Sequence, residues 1–318
     1  MPNEKVELNE EEQLLIINRL HQVLQPFLLR RVKKEVEKEL PDKQEYVIKV
    51  ELSGWQRIIY EQITKYGVMA TSDPRGLKTK ALQNTMMQLR KICNHPYLFL
   101  TESVIVDQNI ISSSGKFELL DRMLPKMIAT GHKTLVFSQM VQLLDVLQAF
   151  LQFRNISFLR LDGSTKEADR EKTMQMFNTS GMEYPVFLLS TRAGGQGLNL
   201  QSADSVIIFD LDWNPAMDIQ AEDRAHRIGQ QREVRVYRLV TKTSIEKEIL
   251  NKAAFKKMMD AKIIQAGLFN TKADERDRRK RLEQIFEGEN SSDEEGEEDA
   301  IPNDEQINEM IARDNDEF

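Results

Sequence analysis

The chain has 318 residues, enough for one large domain or two small ones, and its apolar content of 40% is enough for a sizeable core. Its single cysteine, Cys93, excludes an internal disulfide and a cysteine-based zinc site, and suits a reducing compartment. The four histidines, at 21, 95, 132 and 226, lack metal-ligand spacing, so no metal-binding residue is expected. The opening MPNEKVELNEEEQLL has no apolar stretch of the kind a secretory leader needs, and no apolar run approaches the roughly 18 residues of a membrane span. A soluble protein with no membrane contact is expected. The net charge of −7 divides unevenly. Residues 283–318 hold fifteen Asp/Glu and one Arg, a net −14, which leaves +7 on the rest. A basic body is compatible with nucleic acid, and an acidic tail suits either a basic partner or plain solvation as a disordered end.

In chain order, residues 8–40 read as helix, with Leu14, Ile17, Leu20 and Leu24 at helical spacing and one break at Pro26. A basic run, Arg30 to Lys38, follows the break, and Leu40-Pro41-Asp42 ends the segment. Residues 45–52 alternate as a strand, and helices are expected at about 53–69 and 80–92. Ser112-Ser113-Ser114-Gly115 reads as a linker. From 116 onward the pattern changes. Apolar strands at 134–138, 157–161, 185–190, 205–209 and 234–240 alternate with helices at about 116–129, 139–153, 166–178 and 214–226. Such alternation gives βαβ units and a parallel sheet, whose ligands bind at the carboxyl ends of the strands. A helix at 244–264, a short charged helix at 276–286, a low-complexity acidic stretch at 287–300 and a last short helix within 301–312 complete the chain.

Two constellations fall where strand ends are expected. The first is Ser190 to Leu200 (STRAGGQGLNL), with Gly194, Gly195 and Gly197 in four residues. Such a loop is either a tight strand-to-helix turn or a nest of N–H groups that approaches a phosphate. The second is Asp212 to Gln230 (DWNPAMDIQAEDRAHRIGQ), with Asn214 capping and Pro215 opening a helix. Gln220, Arg224 and Arg227 stand at i, i+4 and i+7, one face of that helix. Two arginines one turn apart either clamp a terminal phosphate or lie on a solvated face paired with Glu222 and Asp223. Trp213 is either a packing anchor or an aromatic that meets bases. Two smaller blocks, LVFSQM (135–140) and RLDGST (160–165), end strands in small polar residues suited to backbone phosphates or to ordinary loops.

In this order the blocks resemble the second RecA-like lobe of superfamily-two helicases, and more closely the Swi/Snf family of chromatin-remodelling ATPases. QPFLLRR (25–31), LPDK (40–43) and ICNHP (92–96) are similar to further hallmarks of that family, and the resemblance covers about residues 8–270. Residues 301–318 resemble the start of the histone-contacting segment in its brahma-type catalytic subunit. The resemblance implies an α/β fold. A RecA-like parallel sheet flanked by helices would carry a helical N-terminal extension and a disordered acidic C-terminal tail. The expected parts are a helical lead-in and protrusion over 1–115, the lobe over 116–243, a brace helix over 244–270 and the acidic tail over 271–318.

The resemblance also implies roles. Arg224 and Arg227 would be arginine fingers, with Gln220 between them and the nucleotide. Gly195, Gly197 and Asn199 would lie near the nucleotide. Ser138, Gln139, Thr191 and Arg192 would touch one DNA strand, and Arg192 and Trp213 would reach the minor-groove side. His95 is expected to be structural. The implied setting is the nucleus, with double-stranded DNA, nucleosomes, histones and other remodelling-complex subunits as partners, and ATP with Mg2+ as cofactors. The sequence holds no G-x-x-x-x-G-K-[ST] block. The phosphates and metal are therefore expected on a first ATPase lobe, supplied in cis or in trans, and the chain alone is expected to be inactive. A non-catalytic DNA- or histone-binding module and a lobe of a strand-separating helicase are the alternatives.

Overall fold

The computed structural model describes residues 40–66, 68–73, 76–81, 84–99, 106–179, 181–192, 198–265, 301–314 and 317–318. The expected helices at 8–40 and 276–286, the acidic stretch 287–300, and the QPFLLRR block lie outside the described residues. The chain divides into a unit of Glu39–Ala253 with Asp299–Phe318 and a second of Met1–Lys38 with Ala254–Glu298. Within the second, the described part is the C-terminal half of one helix.

The larger unit is built on six strands, of which the central ones read as near-continuous apolar runs, the pattern of a parallel sheet buried on both faces. They are β1 (Lys43–Val50), β4 (Thr134–Ser138), β5 (Phe158–Leu161), β6 (Val186–Ser190), β7 (Ser205–Ile208) and β8 (Val234–Thr241). All pair in parallel, in the order β1-β8-β7-β4-β6-β5. The edge strand β1 comes from the lead-in, ahead of residue 116. A separate antiparallel pair, β2 (Val68–Asp73) and β3 (Gly76–Ala81), lies between two helices, α1 (Gly54–Tyr66) and α2 (Thr85–Asn94), and one helical turn, α3 (Asn109–Ser112), follows. The sequence reading left this hairpin out, although Asp73-Pro74-Arg75-Gly76 is a turn signature between two alternating runs.

Side chains alternate across the sheet and feed two cores. On one face Val136, Leu188, Ile207 and Leu239 meet two helices, α4 (Gly115–Ala129) and α5 (Val141–Phe153). On the other, Leu135, Phe137, Phe187, Val206 and Val236 meet Phe177 of α6 (Glu167–Thr179), Ala221 of α7 (Pro215–Glu222) and Ile245 and Ile249 of α8 (Ser244–Gln265). The same face holds Ile59 and Ile63 of α1 and Leu89 and Ile92 of α2, so the lead-in helices share the lobe's core. Most of these side chains are fully buried, and each contributes on the order of 1.5–3 kcal/mol.

Polar side chains stitch the helices together. The buried Gln56 amide accepts from the N–H groups of Ser53 and Gly115, and donates to the carbonyls of Ile92 (2.6 Å) and Cys93 (3.1 Å). A Cβ at Gly115 would lie 1.9 Å from the Glu51 carbonyl oxygen, so the linker glycine is a contact point of α4 with the backbone after β1. Lys116, fully buried, donates to Glu246 (2.6 Å) and to the Phe209 carbonyl (2.9 Å), which ties the start of α8 to the sheet. His95 is a core group. Its Nδ1 accepts from the Tyr97 N–H while Nε2 sits 2.8 Å from the Ile110 carbonyl. Burial holds its pKa down at about 4, so the ring is neutral with its proton on Nε2. Burial likewise pushes the Cys93 thiol up to about 12. Met86 and Met87 are exposed on the first turn of α2.

The last part of the acidic tail is ordered. An Asn303–Gln306 capping box opens α9 (Asp304–Ile311), and Ile307 and Ile311 enter the α4–α5 core. Tyr237 Oη and Arg235 donate to the Met310 carbonyl, and Arg313 donates to the Asp204 carbonyl and Ser205 Oγ. Among the described residues, no helix is long and apolar enough to cross a membrane.

Candidate functional site

The chain connection after β4 runs over one face of the sheet through α5, whereas Leu198 and Leu200, ahead of β7, are buried on the other. The neighbouring carboxyl ends of β4 and β6 therefore flank a crevice, the usual ligand position in such sheets. Ser138 and Ser190 are register partners there, and the Thr191 N–H donates to the Ser138 carbonyl at 2.9 Å. The four residues expected to touch DNA, Ser138, Gln139, Thr191 and Arg192, are thus brought side by side, although they are about fifty positions apart in sequence. They are not equally presented. Ser138 is fully buried and its hydroxyl accepts from the Met140 N–H, and Thr191 is 5% exposed, so both shape the loops. Gln139 is half-buried, with its side-chain nitrogen buried and its Oε1 turned toward Arg90, and Arg192 is exposed.

Beneath Gln139 lies a charged brace absent from the sequence reading. Arg90 of α2 donates to Gln139 Oε1 (3.1 Å) and to the Leu211 carbonyl (2.9 Å), and lies 3.9 Å from Asp210. Asp210 Oδ1 accepts from the Gln139 N–H at 3.1 Å. Burial raises the Asp210 carboxyl above its usual range, against the pull of the Ser138 hydroxyl, Lys116 and Arg90. Asp218, one turn into α7, accepts from the Asp212 N–H at 3.2 Å and is pushed up to about 7, first by burial and then by Asp212. These two buried carboxyls hold the Leu211–Trp213 loop. Trp213 is half-buried against the core on this face, with the Lys252 ammonium 5.0 Å from its ring centroid, which is the anchoring geometry.

The second constellation departs from its expected form. Asn214 caps α7 and Pro215 opens it, as the sequence indicates, but the helix ends at Glu222 rather than near 226. Arg224 and Arg227 do not continue the Gln220 face. They sit in tight turns, in which the N–H groups of Ala225 and His226 bond to the Glu222 carbonyl and that of Gln230 to the Arg227 carbonyl. Gly229 ends this loop at φ +98, where a Cβ would meet Gln201. Nor is Glu222 a solvated partner of the arginines. Its carboxylate is fully buried and accepts from Lys43 Nζ of β1 at 2.7 Å and from Arg238 of β8. Arg224 is half-buried, and burial together with the Arg227 charge holds its guanidinium below the usual value. Arg227 and Gln220 are exposed. Asn199 is exposed nearby in the chain, its carbonyl accepting from Asn178 at 2.9 Å and its amide donating to Gln201 at 3.3 Å. Gly195 and Gly197 lie outside the described residues.

A three-layer parallel sheet with polar strand ends and an adjoining two-arginine turn defines a RecA-like motor lobe. The comparisons agree. The helicase conserved C-terminal domain matches residues 115–229, and the SNF2-related domain matches residues 2–98. The crystal structure of the C-terminal part of the Fun30 ATPase domain covers 67% of this chain and 89% of its own, with a TM-score of 0.57 and 30% identity. The chromatin structure-remodeling complex subunit snf21 of Schizosaccharomyces pombe is 51% identical over 99% of this chain. The ATP-dependent helicase brm of Drosophila melanogaster is 51% identical, and the nuclear protein STH1/NPS1 of Saccharomyces cerevisiae 49%, each over 99% of the chain. The chain spans 27%, 20% and 24% of these three relatives. It belongs to the SNF2-related, Swi/Snf-type ATPases, and its described core is their C-terminal helicase lobe.

Proposed function

We propose that this chain is the second motor lobe of an ATP-dependent DNA translocase that remodels nucleosomes in the nucleus. The observation that carries the reading is the two-arginine turn. Arg224 and Arg227 are close enough for one charge to depress the other's pKa, which is an anion-receptive arrangement.

In the working motor ATP is held between this lobe and a first lobe bearing the phosphate-binding loop, a block this sequence does not contain. Mg2+ on that first lobe supplies charge neutralisation at the phosphates. Arg224 and Arg227 reach across to the terminal phosphate, with Gln220 between them and the nucleotide and Gly195, Gly197 and Asn199 lining its approach. The β4 and β6 ends track one strand of the double helix through Gln139 and Arg192, while Ser138 and Thr191 hold those loops in shape. Trp213, held beside Lys252, meets the minor-groove side of the DNA. Loss of the terminal phosphate removes the counter-charge that holds the arginines, so the lobes part and re-form one step along the DNA. The acidic residues of 287–300 suit histones as a basic partner, and other subunits of a remodelling complex are further partners.

The test is DNA-stimulated ATP hydrolysis, measured for the chain alone and for a motor containing both lobes. The chain alone is expected to bind DNA in a salt-sensitive way without turnover. In the two-lobe motor Arg227→Ala is expected to lower turnover by roughly 10³-fold, as for other arginine fingers, with DNA affinity retained. Turnover near that of the parent would overturn the assignment.

A further inference from the structure

The two arginines stand on a loop with no regular hydrogen-bond ladder of its own, so other groups must fix where they point. The described structure shows an anchor at each end. At the far end, Gln230 is 8% exposed. Its amide donates to the carbonyls of Gln201, Ala203 and Ala225, and its Oε1 accepts from the N–H groups of Gln231 and Arg232. That side chain ties the end of the loop to the segment just before β7. The near end is tied instead to β1 and β8.

Glu222 is the last residue of α7, with no exposed surface. Its carbonyl accepts from Ala225 and His226, so the turn bearing Arg224 hangs from its backbone. Its carboxylate is held by Lys43 and Arg238, which are in turn bridged by Glu45 at 2.7 and 2.9 Å. Burial opposes charge on Lys43 and Arg238, yet both pKa values are raised, because Glu222 and Glu45 more than offset it. The four groups form two acids and two bases that neutralise one another. A second tie runs alongside, with His226 Nε2 lying 2.8 Å from the Pro41 carbonyl. Both ties end on Pro41–Lys43, where the lead-in becomes β1.

We propose that Glu222 is a positioning residue for the arginine fingers, and that the Lys43–Glu222–Arg238 cluster ties the finger turn to the lead-in strand. Glu222 touches neither nucleotide nor DNA. It fixes the exit of α7 so that Arg224 and Arg227 meet the phosphate together, and it links their position to the segment preceding β1. The inference rests on the reading of Arg224 and Arg227 as fingers.

The experiment uses the two-lobe motor and compares Glu222→Gln, Arg227→Ala and Leu147→Ala. Leu147→Ala opens a cavity in the α4–α5 core on the opposite face and serves as a control for general destabilisation. Glu222→Gln keeps the shape and removes the charge that holds Lys43 and Arg238. Its kcat is expected to fall roughly 10- to 100-fold, the scale of a small misplacement of a reacting group. KM for ATP and DNA affinity are expected to stay within about twofold, because only transition-state contacts are lost. Leu147→Ala is expected to leave kcat unchanged at a comparable loss of Tm. An unchanged kcat in Glu222→Gln overturns the proposal, and so does a loss that Leu147→Ala reproduces. If Glu222→Gln does not fold, Lys43→Met removes one tie at the more exposed end, and its kcat must fall in the same direction for the proposal to stand. If Arg227→Ala itself retains turnover, the finger reading fails, whatever Glu222→Gln does.

Discussion

The two ends of one sheet treat buried charge in opposite ways. At the amino end, Asp204 lies before β7 and is 1% exposed. It is met by His132 at 2.9 Å, Arg232 at 3.2 Å and Arg313 at 3.4 Å. Burial pushes its carboxyl up, but these partners more than reverse that, and its pKa is lowered. At the carboxyl end, Asp210 and Asp218 are buried with partners that do not compensate, and both are raised. Arg224 is pushed the other way for the same reason. One end is charge-satisfied and closed over by α9 and Arg313. The other keeps desolvated charge at its loops, the condition under which an incoming phosphate gains most. The scaffold end carries stability, and the loop end gives up some of it for function.

The comparison can be broken most sharply by removing one charge from each end. Arg227→Ala should cost turnover on the order of 10³-fold with little change in Tm, whereas Asp204→Ala should leave Arg232, Arg313 and His132 around an empty position and cost about 3 kcal/mol or more, measured by denaturant unfolding. If Arg227→Ala destabilised the fold as much as Asp204→Ala, the two ends would not differ in kind. Gly115→Ala probes the scaffold without charge. The clash with the Glu51 carbonyl must move backbone, so a loss of roughly 1–3 kcal/mol is expected, read as a fall in Tm with the two-arginine turn unaffected.

Acid titration sharpens the contrast. Asp218 has a folded pKa raised to about 7 from its ordinary value of 3.8, so between those values the native state binds more protons than the unfolded one. Its ionisation therefore lowers stability as pH rises from about 4 to 7. Asp218→Asn should raise Tm at pH 8 and lose that advantage toward pH 4. Asp204 has the opposite sign. Its pKa is lowered, so its contribution is full above the ordinary value of 3.8 and is lost only as pH falls through the folded value. Amide exchange at Leu211–Asp218 should thus slow between pH 8 and pH 5, after correction for intrinsic rates, while that at Arg232–Arg235 does not respond. Equal responses at both ends would refute the contrast.

Much of the lobe is legible in the residues. Runs such as TLVFS and PVFLLS are apolar throughout because both faces of their strands are buried, and each is a strand in the structure. Asn214-Pro215 marks the start of α7 because capping and a fixed φ act within one turn. The end of α7 is not local in this way. Helical spacing extends through Arg224 and Arg227, but Lys43 and Arg238 hold Glu222 from 179 and 16 residues away, and the chain turns there instead. Arg90, Asp210 and Asp218 were missed for the same reason. Nothing near Arg90 in sequence indicates that it will lie under Gln139.

The sequence by itself determined the strands of the main sheet, the order of the motor blocks and the family, because apolar periodicity, caps and glycine turns act over a few residues. Only the tertiary structure decided that β1 joins the main sheet and that the end of the acidic tail folds back as α9. It also decided that the arginine pair stands on a tethered turn rather than along a helix face. Those outcomes depend on charges and carbonyls that meet from 16 to 185 residues apart, and whether a buried charge finds its partner is fixed only when the layers pack.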